Sequence, residues 1–288
     1  SDIVGAFIFP DFLANGSQAN GNRADILWAR APDTNSPADL IVGTLAHEYQ
    51  HLVSFALRSS LGDPVASREV LWLDEGISHL MEDLTGWGGS TVDAYVAALE
   101  SWNNVPFAGP IDSVEQRGKA YTLLRYLVDV RAKSIGANDA NDDEVLTAAR
   151  DLIAPLYTQK RAGFTHALFQ EARDDDRMRD WLRAVYATNN DEVRVALDAK
   201  FLATANSPES NGQLIGFAPN TDYTTARGIV LNIRGVVPED ADAADSISDS
   251  IASSGAHYYL VSGGTGTVNL KLTADSASDI SVDAVRVE

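Results

Sequence analysis

The sequence predicts an α+β fold in two parts, on the basis of three observations. Short apolar runs of strand type open the chain, and helical periodicity dominates from residue 36 to about residue 204. Alternating apolar residues separated by glycine turns then return towards the C-terminus. We therefore predict a domain over residues 1–205, with a small N-terminal sheet and a helical second half. A small all-β, sandwich-like domain is predicted to follow over residues 206–288.

The composition fits a globular protein and excludes several partners. A chain of 288 residues with 45% hydrophobic residues is long enough to bury a sizeable core. The net charge of −19 argues against nucleic acid or an anionic membrane surface as a partner, because like charges repel. No apolar run reaches the length that a membrane span needs. Cysteine is absent, which excludes disulfides and thiol catalysis.

Two strand candidates precede the first helix. Residues 3–9 form an apolar run that Pro10 ends, and residues 24–30 alternate like a half-buried strand. A polar loop rich in glycine and asparagine separates them. We expect the two strands to pair.

The first helix carries the motif around which the chain is organised. Its start is predicted at the Ser-Pro-Ala-Asp of residues 36–39, its end near residue 59, and it contains H-E-x-x-H. Because residues four apart share a helix face, His47 and His51 point the same way and can hold one Zn²⁺. Glu48 lies about 100° further around the helix axis, where a general base can reach a metal-activated water.

A second helix, predicted over residues 68–85, carries W-L-D-E-G at residues 72–76 and ends at a glycine-rich stretch. Helical periodicity then predicts further helices near residues 91–103, 114–134, 142–154, 163–173, 174–188 and 191–203.

Together the two motifs resemble the gluzincin zinc metallopeptidases, in which W-L-[ND]-E-G follows H-E-x-x-H by about two dozen residues. The chain is similar to the aminopeptidase N branch, and more similar to the secreted hyicolysin-type neutral peptidases. The resemblance implies a thermolysin-like catalytic domain in which His47, His51 and Glu75 bind one catalytic zinc ion. It implies that Glu48 is the general base, and that Glu82 supports a ligating histidine.

The chain departs from the family pattern in its spacing and at one position. Glu75 follows His51 by 24 residues, a longer interval than in thermolysin or aminopeptidase N, so the connecting loop must differ. His79 stands where thermolysin has an aspartate; it could face the cleft, but we expect it to lie at the surface or to pack beside the zinc helix. The resemblance also implies that an edge strand lines the substrate cleft, and this role falls to residues 24–30.

A gluzincin needs a donor that stabilises the oxyanion of the reaction besides zinc. The helix that is similar to the family's donor helix has Arg117 where the family has tyrosine. Tyr121 lies one turn further along the same helix face. We assign Tyr121 as the donor, with Arg117, or neither residue, as the open alternatives.

These features predict a zinc-dependent endopeptidase that hydrolyses a peptide or protein substrate. An aminopeptidase is the first alternative, but the acidic G-x-M-E-N type anchor for a free amine is not found before the zinc helix. The second alternative is a non-catalytic binding or adhesion protein on a gluzincin scaffold. The acidic surface suggests at most a preference for neutral or basic peptides.

Four further expectations complete the sequence-based account. The acidic runs at residues 139–144 and 174–176 are candidates for structural Ca²⁺, although helix capping also explains them. We expect His166 to be a structural residue, with a role on the substrate side as the alternative, and His257 to be unrelated to the zinc site. We expect a monomer without a membrane span. The family predicts a secreted or cell-surface bacterial protein, whose signal peptide is absent from this sequence.

Overall fold

The structure, a computed structural model, combines helices with small two-stranded sheets, as the α+β class predicts. Within the part of the chain that is described, no helix is long and apolar enough to cross a membrane. The described residues are 4–8, 26–62, 68–109, 113–138, 143–174, 176–187, 222–224, 230–232, 239–242 and 258–262.

A two-stranded antiparallel sheet packs against the first helix. Strand β1 (Gly5–Phe7) pairs with β2 (Leu27–Ala29), and both contact helix α1 (Ala38–Ser59). The close approach of β1 depends on Gly5, because a Cβ atom there would lie only 2.5 Å from Cγ2 of Thr44 on α1. The predicted strands and first helix are therefore present, with β1 held tightly on the helix.

The central helix of the described core is α4 (Val114–Ser134), which packs against α2 (Leu71–Thr85), α3 (Gly89–Glu100) and α5 (Asp143–Tyr157). The Ser113 side chain caps α4 by accepting a hydrogen bond from Gln116 N. The core is formed by buried apolar side chains of these helices, including Leu73, Ile77, Leu80, Val92, Tyr95, Leu123, Leu124, Leu127, Val128, Val145 and Ile153.

The helical part ends in shorter elements. The helix predicted from residue 163 begins as a 3₁₀ turn (Gly163–Thr165) and continues as α6 (Ala167–Asp174). The next helix, α7 (Arg177–Ala187), begins three residues later than predicted. The helix predicted over residues 191–203 lies outside the described residues.

Four short strands are described in the C-terminal part. Strands β3 (Asp222–Thr224) and β4 (Val230–Asn232) are antiparallel, whereas β5 (Glu239–Asp242) and β6 (Tyr259–Ser262) are parallel. The parallel pair differs from the antiparallel arrangement that hairpin-like alternation predicts. The predicted strands near residues 268–272 and 280–287, the boundary at residue 205 and His257 lie outside the described residues. The sandwich-like domain therefore stays a prediction.

One described C-terminal residue contacts the helical part directly. The Tyr258 hydroxyl donates a 2.6 Å hydrogen bond to the main-chain oxygen of Leu182 on α7. Its ring also stacks on that of Tyr186, with ring centroids 5.1 Å apart. The chain just before β6 is therefore anchored to the helical core.

Candidate metal centre

Helices α1 and α2 bring together the three residues predicted to bind zinc. His47 and His51 lie one turn apart on α1, and Glu75 lies near the start of α2. Nε2 of His47 lies 3.3 Å from Oε2 of Glu75, and Nε2 of His51 lies 3.6 Å from Oε1. Both imidazoles therefore present the same ring nitrogen to one carboxylate.

These separations fit a shared metal ion better than they fit hydrogen bonds. Tetrahedral ligands that are each about 2.0–2.1 Å from a zinc ion lie about 3.3–3.4 Å from one another. The observed distances of 3.3 and 3.6 Å are close to that value, and are long for a hydrogen bond between nitrogen and oxygen. Oε2 of Glu75 is also a buried atom that accepts no hydrogen bond, although it has charged neighbours. Two imidazoles and a carboxylate form a ligand set typical of Zn²⁺.

A carboxylate holds the opposite side of each imidazole. Nδ1 of His47 lies 2.7 Å from Oε1 of Glu82, and Nδ1 of His51 lies 3.0 Å from Oδ2 of Asp74. Because an ionised carboxylate only accepts hydrogen bonds, each Nδ1 carries the proton that it donates. This arrangement leaves the Nε2 lone pairs available for a metal ion and fixes the orientation of both rings.

Glu82 is itself held by several donors. Its Oε2 accepts hydrogen bonds from the Ser90 hydroxyl and from the main chain and hydroxyl of Thr91. His79 lies on the other side, with Nδ1 3.2 Å from Oε1 of Glu82. His79 is buried and does not line the cleft, which agrees with the packing role expected from the sequence.

His47, His79 and Glu82 form a second group whose ligand atoms are close enough to share an ion. In this group, however, Nδ1 of both histidines points at one Glu82 oxygen, and Glu82 does not line the cleft. We therefore interpret the group as the support for His47 rather than as a separate metal site.

The charges of the cluster are strongly coupled. Burial lowers the pKa of His47, but the neighbouring carboxylates of Glu75 and Glu82 outweigh it and raise the pKa to about 10. Burial raises the pKa of Glu75, but the two histidines and Arg117 outweigh it and lower the pKa to about 2. Without a metal ion, a protonated His47 thus faces an ionised Glu75. A divalent cation would take the place of that proton.

Glu48, the predicted general base, lies in the same cleft and is fixed by strand β1. Its Oε2 accepts a 2.7 Å hydrogen bond from the main-chain N–H of Phe7. Just before β1, Val4 O accepts a hydrogen bond from Arg30 N, just after β2. Successive residues of a strand direct their main-chain N–H and C=O groups to opposite sides, so the N–H of Phe7, three residues after Val4, points away from β2.

This arrangement corrects the expectation that residues 24–30 form the cleft wall. Ala6 and Phe7 of β1 line the cleft, whereas no residue of β2 does. The reason is the order of the elements, since the edge of β1 that points away from β2 meets the face of α1 that carries Glu48. Sequence alternation identifies strands but does not show which of two paired strands faces a helix.

The two candidate oxyanion donors lie in different environments. Arg117 lines the cleft, and its Nη1 is 2.9 Å from Oε2 of Glu75. Tyr121 is fully buried, and its hydroxyl donates a 2.8 Å hydrogen bond to Oδ2 of Asp83, which also pairs with Arg125. This placement corrects the assignment of Tyr121 to the cleft. Tyr121 lies one helical turn beyond Arg117, and at that point α4 packs against α2 and no longer borders the cleft.

The cleft has a volume of about 270 Å³ and follows one face of α1 beyond His51 to Phe55 and Arg58. Sequence reasoning missed this extension, although residues seven and eight positions after His47 and His51 share the helix face of the motif. It also missed Asp74, whose position directly before Glu75 was the available signal. The remaining wall of the cleft is formed by Arg68, Glu69, Leu71 and Asp74.

A buried ion-pair cluster closes the far end of the cleft. Arg58 pairs with Glu69 at 3.1 Å, and Glu69 also accepts a hydrogen bond from Nε2 of His166 at 2.8 Å. Arg58 further donates to the main-chain oxygens of Leu156 and Arg161, each at 2.8 Å. His166 is therefore a structural residue, as expected, and its cluster connects α1 to the chain after α5.

The predicted calcium sites are only partly described. Asp143 and Glu144 lie in the first turn of α5, and Asp176 accepts a 2.7 Å hydrogen bond from Nη2 of Arg179. The other acidic residues of the two runs are outside the described residues or have no described side chain. Calcium binding stays a prediction.

Comparison with known proteins adds no independent assignment. No protein-family model matches the chain, and a search of curated proteins finds no match. The geometry of the cluster and its cleft is therefore the basis for proposing a function.

Proposed function

We propose that this chain is a zinc-dependent endopeptidase of the gluzincin type. The observation that carries the proposal is the convergence of His47 Nε2 and His51 Nε2 on Glu75, at separations that suit a tetrahedral zinc ion. Glu48 lies beside this cluster in the same cleft. A buried ion-pair cluster alone would require neither the two outer carboxylates nor an adjacent cleft.

His47, His51 and Glu75 would hold the ion. Bound there, Zn²⁺ supplies a Lewis acid for the scissile carbonyl and lowers the pKa of a water molecule. Glu82 and Asp74 keep the imidazoles oriented and their Nδ1 atoms protonated.

Glu48 would move the proton. The N–H of Phe7 occupies its Oε2, which leaves Oε1 to accept the proton of the attacking water. The same oxygen would then return the proton to the leaving amine. The hydrogen bond from β1 limits the rotation of the carboxylate, so that Oε1 keeps one orientation through both transfers.

Arg117 is the residue that we assign to oxyanion stabilisation. Its guanidinium group contacts Glu75 and lines the cleft, so it lies beside the expected position of the scissile carbonyl. A fixed positive charge next to a developing negative charge stabilises the transition state more than the ground state.

The cleft favours an endopeptidase over an aminopeptidase. An aminopeptidase needs a carboxylate that is available to bind the free amine of the substrate. Among the described residues of the cleft, Glu48, Glu69, Asp74 and Glu75 are the carboxylates, and each is already engaged by a donor or a cation of the protein. We therefore propose cleavage within a peptide chain.

The proposal includes a thermolysin-like catalytic fold over residues 1–205. The order of the elements supports it, with a small sheet followed by the His47 helix, the Glu75 helix and further helices. Secretion or display at the cell surface is part of the same proposal.

The test is metal analysis combined with peptide hydrolysis. We expect one equivalent of zinc in the purified protein and hydrolysis of casein or a peptide mixture. Chelation should abolish hydrolysis and added Zn²⁺ should restore it, whereas Glu75→Gln should lose most of the zinc. A protein that binds one equivalent of zinc in the intact site but hydrolyses no peptide would instead support the non-catalytic binding scaffold.

A further inference from the structure

With a divalent cation bound, the cleft would differ in the sign of its charge from the whole chain. The chain has a net charge of −19, yet three arginines line the cleft, namely Arg58, Arg68 and Arg117. Four carboxylates also line the cleft, so its charged side chains sum to −1. A bound divalent cation would change this sum to +1. Binding zinc would therefore turn the cleft into a cationic region on an acidic protein.

The far end of the cleft combines an apolar wall with a guanidinium group. The rings of Phe7 and Phe55 lie 5.9 Å apart, and Leu71, which is 39% exposed, also lines the cleft. Arg68 is exposed and lines the same cleft. Arg58 is only 2% exposed and donates to Glu69 and to main-chain oxygens, so it closes the end of the cleft.

The distance between the metal centre and the far end of the cleft determines which residue of a bound peptide reaches that end. Seven residues of α1 separate His51 from Arg58, which corresponds to about 10 Å along the helix axis. An extended peptide covers that distance in about three residues. Arg68 directly precedes Glu69, whose carboxylate pairs with Arg58 at 3.1 Å, so a substrate group bound by Arg68 would lie about three residues from the scissile bond.

We propose that this end of the cleft is a subsite for a carboxylate of the peptide substrate, bound by Arg68 beside the apolar side chains of Phe7, Phe55 and Leu71. The carboxylate comes either from an aspartate or glutamate side chain or from the C-terminus of the peptide. The inference rests on the proposed function and replaces the preference for neutral or basic peptides that the overall charge suggests.

The overall negative charge does not override this local recognition. At physiological ionic strength the Debye length is about 8 Å, so charges on distant parts of the surface are largely screened. A charge-assisted hydrogen bond between guanidinium and carboxylate acts at contact distance and is screened less. Long-range repulsion should slow the association of acidic peptides at low salt, whereas contact with Arg68 should slow their dissociation.

The test measures binding without cleavage. Zinc-loaded Glu48→Gln protein is titrated, by fluorescence anisotropy, with labelled amidated nonapeptides that differ only by Glu or Gln at one position. The same peptides with a free C-terminal acid separate the two sources of the carboxylate. The variants are Arg68→Gln, Arg68→Lys and, as the matched control, Arg150→Gln, whose side chain is 73% exposed on α5.

We expect a carboxylate-bearing peptide to bind on the order of tenfold more tightly than its neutral counterpart. Arg68→Gln should remove the difference, Arg68→Lys should keep part of it, and Arg150→Gln should leave it unchanged. Equal affinities for all matched pairs, or a preference that survives Arg68→Gln, would overturn the subsite.

The two proposals fail in different ways. Peptide cleavage by the unchanged protein without any carboxylate preference would overturn the subsite and leave the peptidase intact. Binding of carboxylate peptides that depends on Arg68, in a protein that cleaves nothing, would support the subsite and overturn the peptidase.

Discussion

The main-chain N–H of Phe7 donates a 2.7 Å hydrogen bond to Oε2 of Glu48, joining strand β1 to the motif helix. This bond gives the small N-terminal sheet a direct role at the candidate site. The strand lines the cleft and fixes the carboxylate that we propose to move the proton. The position of β1 against α1 in turn depends on the absence of a side chain at Gly5.

The Gly5→Ala substitution should therefore impair turnover without removing zinc. The new methyl group would lie 2.5 Å from Thr44 Cγ2, so β1 must shift away from α1 and weaken the bond from Phe7 to Glu48. We expect kcat to fall by about 10- to 100-fold, since small displacements of a catalytic group have effects of this size. Steady-state kinetics and zinc analysis of the purified variant measure the two quantities.

Thr44→Ser provides the matched rescue. It removes Cγ2 and keeps the hydroxyl that donates a 2.8 Å hydrogen bond to Leu40 O. The double substitution should recover most of the lost kcat. Unchanged kcat in Gly5→Ala, or loss of zinc in that variant, would contradict the role given to β1.

Glu82→Gln should weaken zinc binding although Glu82 is not a proposed ligand. The carboxylate keeps Nδ1 of His47 protonated and the ring oriented. Loss of such an outer carboxylate lowers metal affinity by about 10- to 100-fold. Competition with a chelator measures the change, and Glu100→Gln, at an exposed position in α3, is the control. Equal zinc affinity in Glu82→Gln and Glu100→Gln would show that Glu82 does not support the metal centre.

Arg117→Gln should change zinc binding and turnover in opposite directions. The guanidinium group, 2.9 Å from Oε2 of Glu75, opposes the approach of a second cation, so its removal should raise zinc affinity severalfold. Loss of the oxyanion donor should lower kcat by about 10²- to 10³-fold. Chelator competition and steady-state kinetics give the two values.

Tyr121→Phe is the comparison for Arg117→Gln. The hydroxyl of Tyr121 bonds to Asp83 in the core, away from the cleft. Its loss should lower the free energy of unfolding by about 1 kcal/mol and leave kcat unchanged. A large loss of kcat in Tyr121→Phe with normal stability would return Tyr121 to the catalytic role predicted from the sequence.

Zinc affinity should keep rising with pH above neutrality. Glu75 and Glu82 raise the pKa of His47 from 6.5 to about 10, so zinc must displace a proton throughout this range. Displacement of the His47 proton alone should increase the affinity by about tenfold per pH unit between pH 6.5 and 10, as chelator competition would show. With a histidine of ordinary pKa, the zinc affinity would level off near pH 6.5. Such a plateau in the measured affinity would contradict the interaction of His47 with Glu75 and Glu82.

The stability of the metal-free protein should follow the opposite trend. Because the pKa of His47 is raised on folding, its contribution to stability is fully present below pH 6.5 and is lost as the pH rises to about 10. Denaturant unfolding of the chelated protein across this range tests the sign. Zinc-loaded protein, in which His47 carries no exchangeable proton at Nε2, should lack this loss.

Helices and motif spacing were predictable because they depend on local periodicity. Helix α4 has the predicted bounds, and α1 carries its two histidines on one face as the four-residue spacing requires. The interval between His51 and Glu75 did not by itself show that α2 crosses α1 at the histidines. The family resemblance supplied that expectation.

Features that depend on how elements face one another were not predictable. Arg117 and Tyr121 lie one turn apart on α4, and only the packing of α4 on α2 separates a cleft residue from a core residue. Arg125 and Asp129 resemble an exposed polar face in the sequence, yet both are fully buried, and Arg125 also pairs with Asp83. Buried charge pairs of this kind follow no sequence period.

The most direct test of the central claim compares unchanged protein with Glu48→Gln for zinc content and peptide hydrolysis, side by side. Glu48 lines the cleft but is not a proposed ligand, so the substitution should leave one equivalent of zinc bound. We predict zinc in both proteins and hydrolysis by the unchanged protein alone, with the rate lowered at least 10²-fold in the variant. Absence of zinc from both proteins, or equal hydrolysis by both, would contradict the account.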